Sequence, residues 1–143
     1  RGMRPGGVWL ARETGVARPD EALALGLSPG ATVCRLRRLR TADGTPMAIE
    51  FSVIPTDVLP EPDFPGTSLY AALEALGHVP SRALQRMRSD IASSDEARLL
   101  GVAVGAPLLE TERRCFLESG QPFEYSRSRY RGDAYDFLVE LSR

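Results

Sequence analysis

Residues 32–54 constrain the fold more than any other part of the chain. Residues 32–41 are rich in strand formers, Asp43-Gly44 is a strong turn signal, and residues 46–54 alternate apolar and polar. Two such runs around Asp-Gly predict a tight hairpin. Strands joined by hairpins cannot all be parallel, so the sheet is expected to be antiparallel, with helices packed on it. The alternation also assigns faces. Met47, Ile49, Phe51 and Val53 share one side of the second strand, and Ala48, Glu50 and Ser52 share the other.

The same reading extends along the chain. Residues 1–7, with Pro5 and three glycines, read as a flexible lead-in, and residues 8–13 as a short first strand. Pro19, Asp20 and Glu21 open a short helix that Gly26 ends. Residues 55–66 hold four prolines and read as a loop. A helix over residues 68–76 places Leu69, Leu73 and Leu76 on one face, with Gly77 as its stop. Residues 81–92 read as a long strand. Ser93 and Glu96 stand at capping-box spacing before a third helix. Residues 107–117 and 122–130, around Ser119-Gly120, predict a second hairpin, and residues 135–141 alternate as a closing strand. The expected class is α+β, with about six strands and three short helices.

Composition narrows function. One domain suffices for 143 residues, and the net charge of −1 offers no bulk attraction to DNA or an anionic membrane. All 18 basic residues are arginine, which removes Schiff-base lysine chemistry and the P-loop lysine. Cys34 and Cys115 match no metal or redox spacing and read as buried free thiols. His78, the single histidine, follows a helix-ending glycine, which makes a His-activated nucleophile or a His-rich metal site improbable. No cofactor is expected. No apolar run reaches the roughly 20 residues of a membrane span and no signal peptide opens the chain, so a cytoplasmic protein is expected. The chain starts at Arg1 rather than Met, as a fragment or processed chain would.

The candidate functional residues are polar groups on strand faces that ought to be half buried. Arg38 and Arg40 share parity with Cys34 and Leu36, so their guanidiniums aim at one place. Planar forks of that kind donate bidentate hydrogen bonds to phosphate or carboxylate at any cellular pH. A solvated charged face is the alternative, favoured by Arg35 and Arg37 pointing the other way. Glu124, Ser126, Ser128 and Tyr130 share one face of their strand, with Phe123 and Tyr125 on the other. That row suits a pocket for a polyhydroxylated or amine-bearing ligand, or else a wetted outer face. Thr67 and Ser68 open a helix, either as plain N-capping or as a site favouring an anion.

Four stretches resemble one family. Residues 38–50, reading RLRTADGTPMAIE, resemble the first hairpin of the UTRA domain, the effector-binding domain of HutC-type regulators in the GntR superfamily. Ser68-Leu69-Tyr70 resembles its helix, residues 96–109 its next helix and strand, and residues 124–139 its closing signature. The resemblance spans residues 31–141, with residues 1–30 as a linker and lead-in of the same domain. It implies a chorismate lyase-like fold whose sheet and helices surround a ligand cavity. It also implies that Arg38, Arg40 and Ser68 hold an anionic group such as a phosphate, while Glu50, Tyr70, Glu124 and Tyr130 line the rest. Ser126 joins them by parity. The implied partners are a small anionic metabolite (a sugar phosphate or organic acid), a second copy in a homodimer, and operator DNA. DNA would be reached only through an N-terminal winged helix-turn-helix domain absent from this chain. A chorismate lyase-like enzyme acting on a small carboxylated substrate is the alternative.

Overall fold

The computed structural model describes residues 4–66 and 68–134; Thr67 and the expected closing strand at residues 135–141 lie outside the described residues. The elements run β1 (Pro5–Val16), α1 (Pro19–Leu25), β2 (Thr32–Ala42), β3 (Thr45–Pro55), α2 (Leu69–Ala75), β4 (Pro80–Ile91), α3 (Ser94–Leu100), β5 (Pro107–Leu117) and β6 (Pro122–Arg131). A single 3₁₀ turn, Gly132–Ala134, follows.

The Asp43-Gly44 hairpin forms as its sequence requires. Asp43 and Gly44 both take positive φ, 51° and 78°, which is the twist that lets a two-residue loop join antiparallel strands. The turn is tied to the chain's start, because Asp43 N donates to Arg4 O at 2.8 Å and Asp43 Oδ1 accepts from Arg4 N at 2.7 Å. From Pro5 onward the segment read as a lead-in is therefore part of the sheet. β1 begins at Pro5 and pairs with β2 along its length.

All pairings are antiparallel, in the order β1-β2-β3-β6-β5-β4. β3 lies inside the sheet and β4 at its edge, so the chain between them must cross a sheet face. It carries α2 with it. Leu69 and Leu73 pack on a front-face core containing Cys34, Leu36, Ile54, Cys115 and Phe123. Val58 and Leu59, in the proline-rich loop, are buried in the same core, a packing role the loop's composition did not reveal. Leu76, expected on the buried stripe of α2, is its exposed C-cap instead, since the helix ends a residue early. Both cysteines are buried free thiols.

Phe123 departs from simple alternation. A register shift between Cys115 and Phe116 leaves it without a cross-strand partner and turns it into the front core rather than out with Tyr125.

The back face is covered by α1 and α3. Leu25 packs with Val33 and Val53, while Ala97 and Leu100 pack with Ile49 and Leu108. Here Arg35, which points away from Arg38 and Arg40 as its parity requires, is only 7% exposed and Glu21 of α1 only 2%. Arg35 Nε and Nη2 donate to Glu21 at 2.9 and 2.8 Å, and Nη2 also reaches Val16 O at 2.7 Å. Burial opposes the Glu21 charge, but hydrogen bonds from Arg35 and the Arg18 backbone prevail, and its pKa is lowered. Arg129 fastens α3 through Glu96 at 2.8 Å, and it also bonds Asp90 of β4 and Glu110 of β5, each at 2.8 Å.

Removing one partner of a buried pair strands the other charge. Arg35→Ala is expected to destabilise the domain by about 3–5 kcal/mol in urea or guanidinium unfolding. Arg35→Leu with Glu21→Leu is expected to cost much less; equal losses would show that the pair is not what holds α1.

Candidate functional site

Cross-strand register lays out the floor of a cavity on the front face. Arg38 on β2 faces Glu50 on β3, Glu50 faces Ser128 on β6, Ser128 faces Thr111 on β5, and Thr111 faces Met87 on β4. Two residues along, the next row is Leu36, Ser52, Ser126, Arg113 and Gln85. A third row holds Arg40, Ala48 and Tyr130. Side chains two apart share a face, so the three rows rise into one space. α2 supplies a wall with Ser68 and Tyr70, and β1 another with Pro5, Gly6 and Trp9. The cavity measures about 780 Å³, within the usual range for a small-molecule site.

All eight residues expected from the sequence line it: Arg38, Arg40, Glu50, Ser68, Tyr70, Glu124, Ser126 and Tyr130. Arg38 and Arg40 converge as their parity required, and both meet Glu50. Arg38 Nη2 donates to Glu50 Oε1 at 2.6 Å and Nε at 3.2 Å, while Arg40 Nη1 donates to Oε2 at 3.2 Å. Burial works against the Arg40 charge, but Glu50, with help from Tyr130, outweighs it and raises the pKa. The Arg38 guanidinium also lies 5.8 Å from the Trp9 ring. Gly7 makes room for it, since a Cβ there would stand 3.0 Å from Arg38 Cδ.

The other acid is different. Glu124 is 5% exposed, and among the described residues no arginine donates a hydrogen bond to it. Ser52 Oγ donates to Oε2 at 2.9 Å and the Tyr70 hydroxyl to Oε1 at 3.3 Å. Burial raises its pKa, and the nearby Glu50 charge adds to the shift. The effect spreads to its neighbours. Tyr70 is 44% exposed overall, but its hydroxyl turns inward, and burial followed by the Glu124 charge holds its pKa well above the ordinary value. The Cys115 thiol, pushed up by burial and then by Glu124, reaches about 11. Tyr130 is raised by burial and by Glu50.

Ser68 caps α2, its Oγ accepting from Ala71 N at 3.2 Å, so its capping role is realised and its hydroxyl still borders the cavity. Trp9, Gln85, Thr111 and Arg113 also line the space and were not foreseen. The parity of Thr111 and Arg113 was readable, but not which neighbours β5 would take. Both Nε and Nη2 of Arg113 donate to Gln85 Oε1, at 3.0 and 2.7 Å. Among the described residues no group of three or more His, Cys, Asp or Glu could hold a metal, and no helix is long and apolar enough to cross a membrane. His78 does not line the cavity. The arrangement offers forked cations, hydroxyls and a desolvated acid, which is equipment for gripping a polar ligand.

The UTRA domain family pattern matches residues 1–136, which include the first thirty residues that the sequence resemblance left aside. The chain is 35% identical to the HTH-type transcriptional repressor NagR of Bacillus subtilis over 147 residues, covering all of this chain and 60% of that protein. It is 32% identical to the HTH-type transcriptional repressor PhnF of Mycolicibacterium smegmatis, covering 85% of this chain and 52% of that one. The chain thus spans between half and two thirds of these relatives. Its fold superposes on the crystal structure of the PhnF effector domain with a TM-score of 0.85, at 29% identity, covering 92% of this chain and 83% of that one. A GntR-family transcriptional regulator from Enterococcus faecalis gives a TM-score of 0.82 at 28% identity, covering 89% and 94%. These relatives are regulators, and the enzyme alternative finds no support among them.

The raised pKa of Glu124 has a signed consequence. A carboxyl whose folded pKa lies above its unfolded value, about 4.3, stabilises the fold fully below that value and loses the contribution as pH rises through the folded pKa. Glu124→Gln is therefore expected to gain stability relative to the parent as pH rises above about 4.3 in thermal melts. Parallel pH curves for the two proteins would contradict the assignment.

Proposed function

The chain belongs to the UTRA domain family, and from that premise we propose that it is the effector-binding domain of a bacterial transcriptional regulator that senses a small anionic metabolite. The observation that carries this reading is the convergence of Arg38 and Arg40 with Glu50, Glu124, Ser126 and Tyr130 from the sheet, and Ser68 and Tyr70 from α2, on one cavity. In this reading the arginine pair takes the anionic group of a sugar phosphate or organic acid, and the hydroxyls and acids take the rest. Two relatives bear the name of repressor, which favours repression relieved by the ligand.

The whole regulator works, in this proposal, as a cytoplasmic homodimer of the HutC type, whose operator DNA is read by a winged helix-turn-helix domain preceding this one. The regulatory step is linkage. Ligand shifts the dimer only by the difference in its affinity for the two conformations, about 1–3 kcal/mol in typical allosteric proteins.

The test has two parts. A thermal-shift panel of sugar phosphates, organic acids and amino-acid catabolites is expected to contain at least one stabilising anion. Against that anion, Arg38→Ala or Arg40→Ala is expected to weaken binding by about 1.5–3 kcal/mol, as for loss of a charge-assisted hydrogen bond, with circular dichroism unchanged. Calorimetry showing unchanged affinity in both variants would remove the pair from the site.

A further inference from the structure

Resting on the reading of this cavity as an anion site, we propose that Glu50 is a built-in counter-ion. It fills the arginine seat and makes the site select anions that carry a hydrogen-bond donor beside their charge. The geometry is specific. Glu50 Oε1 is engaged by Arg38 at 2.6 and 3.2 Å, and Oε2 by Arg40 at 3.2 Å, so one carboxylate spans both guanidiniums. It occupies the position between the two forks that an incoming phosphate or carboxylate would have to share or take.

Glu50 cannot leave the neighbourhood. It is the direct cross-strand partner of Arg38 and of Ser128, on strands inside the sheet, so only its side-chain torsions can change. A ligand anion seated at the forks meets the Glu50 carboxylate at close range, and like charges oppose each other there unless a hydrogen atom lies between them.

Displaced from the forks, Glu50 is an acceptor without a hydrogen atom to offer, in a half-buried place. Its side chain is only 18% exposed. An acceptor left unmatched there opposes binding. A hydroxyl or ammonium on the ligand next to its anionic group relieves that cost, so phosphorylated polyols, hydroxy acids and amino acids fit better than naked anions. Glu50 thereby sets specificity. It raises the threshold against an anion such as sulfate, which has no hydrogen atom to offer, and leaves the threshold low for anions that carry a donor.

The chain supplies its own reporter, because Trp9 is the single tryptophan and its ring lies 5.8 Å from the Arg38 guanidinium. Sulfate, which has no hydrogen atom to donate, and glycerol 3-phosphate, which has hydroxyl donors, are titrated into wild type, Glu50→Gln and Glu50→Asp, reading Trp9 fluorescence and calorimetric heat. The expected result is that Glu50→Gln binds sulfate about tenfold more tightly than wild type. The gain should be smaller for glycerol 3-phosphate, and Glu50→Asp should fall between. If wild type binds sulfate and Glu50→Gln binds it no better, the counter-ion role is overturned while the anion site stands. If neither protein responds to either probe, the anion site falls as well. Should Glu50→Gln fail to fold, equal sulfate affinity in Glu50→Asp and wild type overturns the proposal on its own.

Discussion

The pairing of β3 with β6 is the seam on which the cavity depends. These strands are separated in sequence by α2, β4, α3 and β5, yet they lie side by side, with Glu50 opposite Ser128 and Ser52 opposite Ser126. On one side of the seam stands the β1-β2-β3 meander with its arginine pair, and on the other the β4-β5-β6 meander with its hydroxyls and Glu124. Neither half closes the space alone. A slip of one residue at the seam would turn one half's side chains to the back face, where α1 and α3 pack on apolar residues. The register is held by that back-face cost. Ile49 lies in a core with Leu100 and Leu108, and Val53 in one with Leu25 and Val33.

Charge is managed differently on the two faces. Behind the sheet, Glu21 and Arg35 are almost wholly buried and satisfy each other with two hydrogen bonds, as a pair removed from water must. In front, Arg38, Arg40 and Glu50 share one carboxylate among two cations and keep side-chain exposures of 18–27%. The first arrangement is closed and structural. The second is only partly dry, so a third charged group can reach it from the cavity. Glu124 completes the contrast, for among the described residues it is bonded by hydroxyls and by no guanidinium, and burial raises its pKa.

What the sequence made legible follows from the range of each signal. The Asp43-Gly44 turn and the alternation on either side of it are local, so the hairpin, the shared face of Arg38 and Arg40, and the inward placing of Glu50 could all be read from adjacent residues. The parity of Glu124, Ser126 and Tyr130 was equally local. Strand order is not. Nothing in residues 107–117 says that β5 will lie between β6 and β4, so Thr111, Arg113 and Gln85 could not be assigned to the cavity. Phe123 was misplaced because a bulge breaks the alternation that parity assumes. Gly6, Gly7 and Pro5 looked like a lead-in by composition. They form strand because Arg4 and Asp43 pin them to the hairpin turn and because β2 offers an open edge. Arg35 was legible in direction but not in burial, since its partner Glu21 comes from a helix whose docking is a tertiary event.

The position of α2 is the least self-sufficient feature of the front face. A helix of seven residues is too short to be stable by itself in water. Its anchors are the burial of Leu73, the partial burial of Leu69, the Ser68 cap and the hydrogen bond from Tyr70 to Glu124. Three of those four, the ones made by Ser68, Leu69 and Tyr70, border the cavity. Whatever fills the space therefore competes with or adds to the contacts that hold the helix, whereas β2, β3, β5 and β6 are fixed by ladders on both sides. Elements of low local stability are the ones a ligand can move for a small free-energy difference. If the cavity takes a ligand as proposed, α2 and the loop leading to it are where binding energy becomes displacement, and the sheet is the frame against which that displacement is measured.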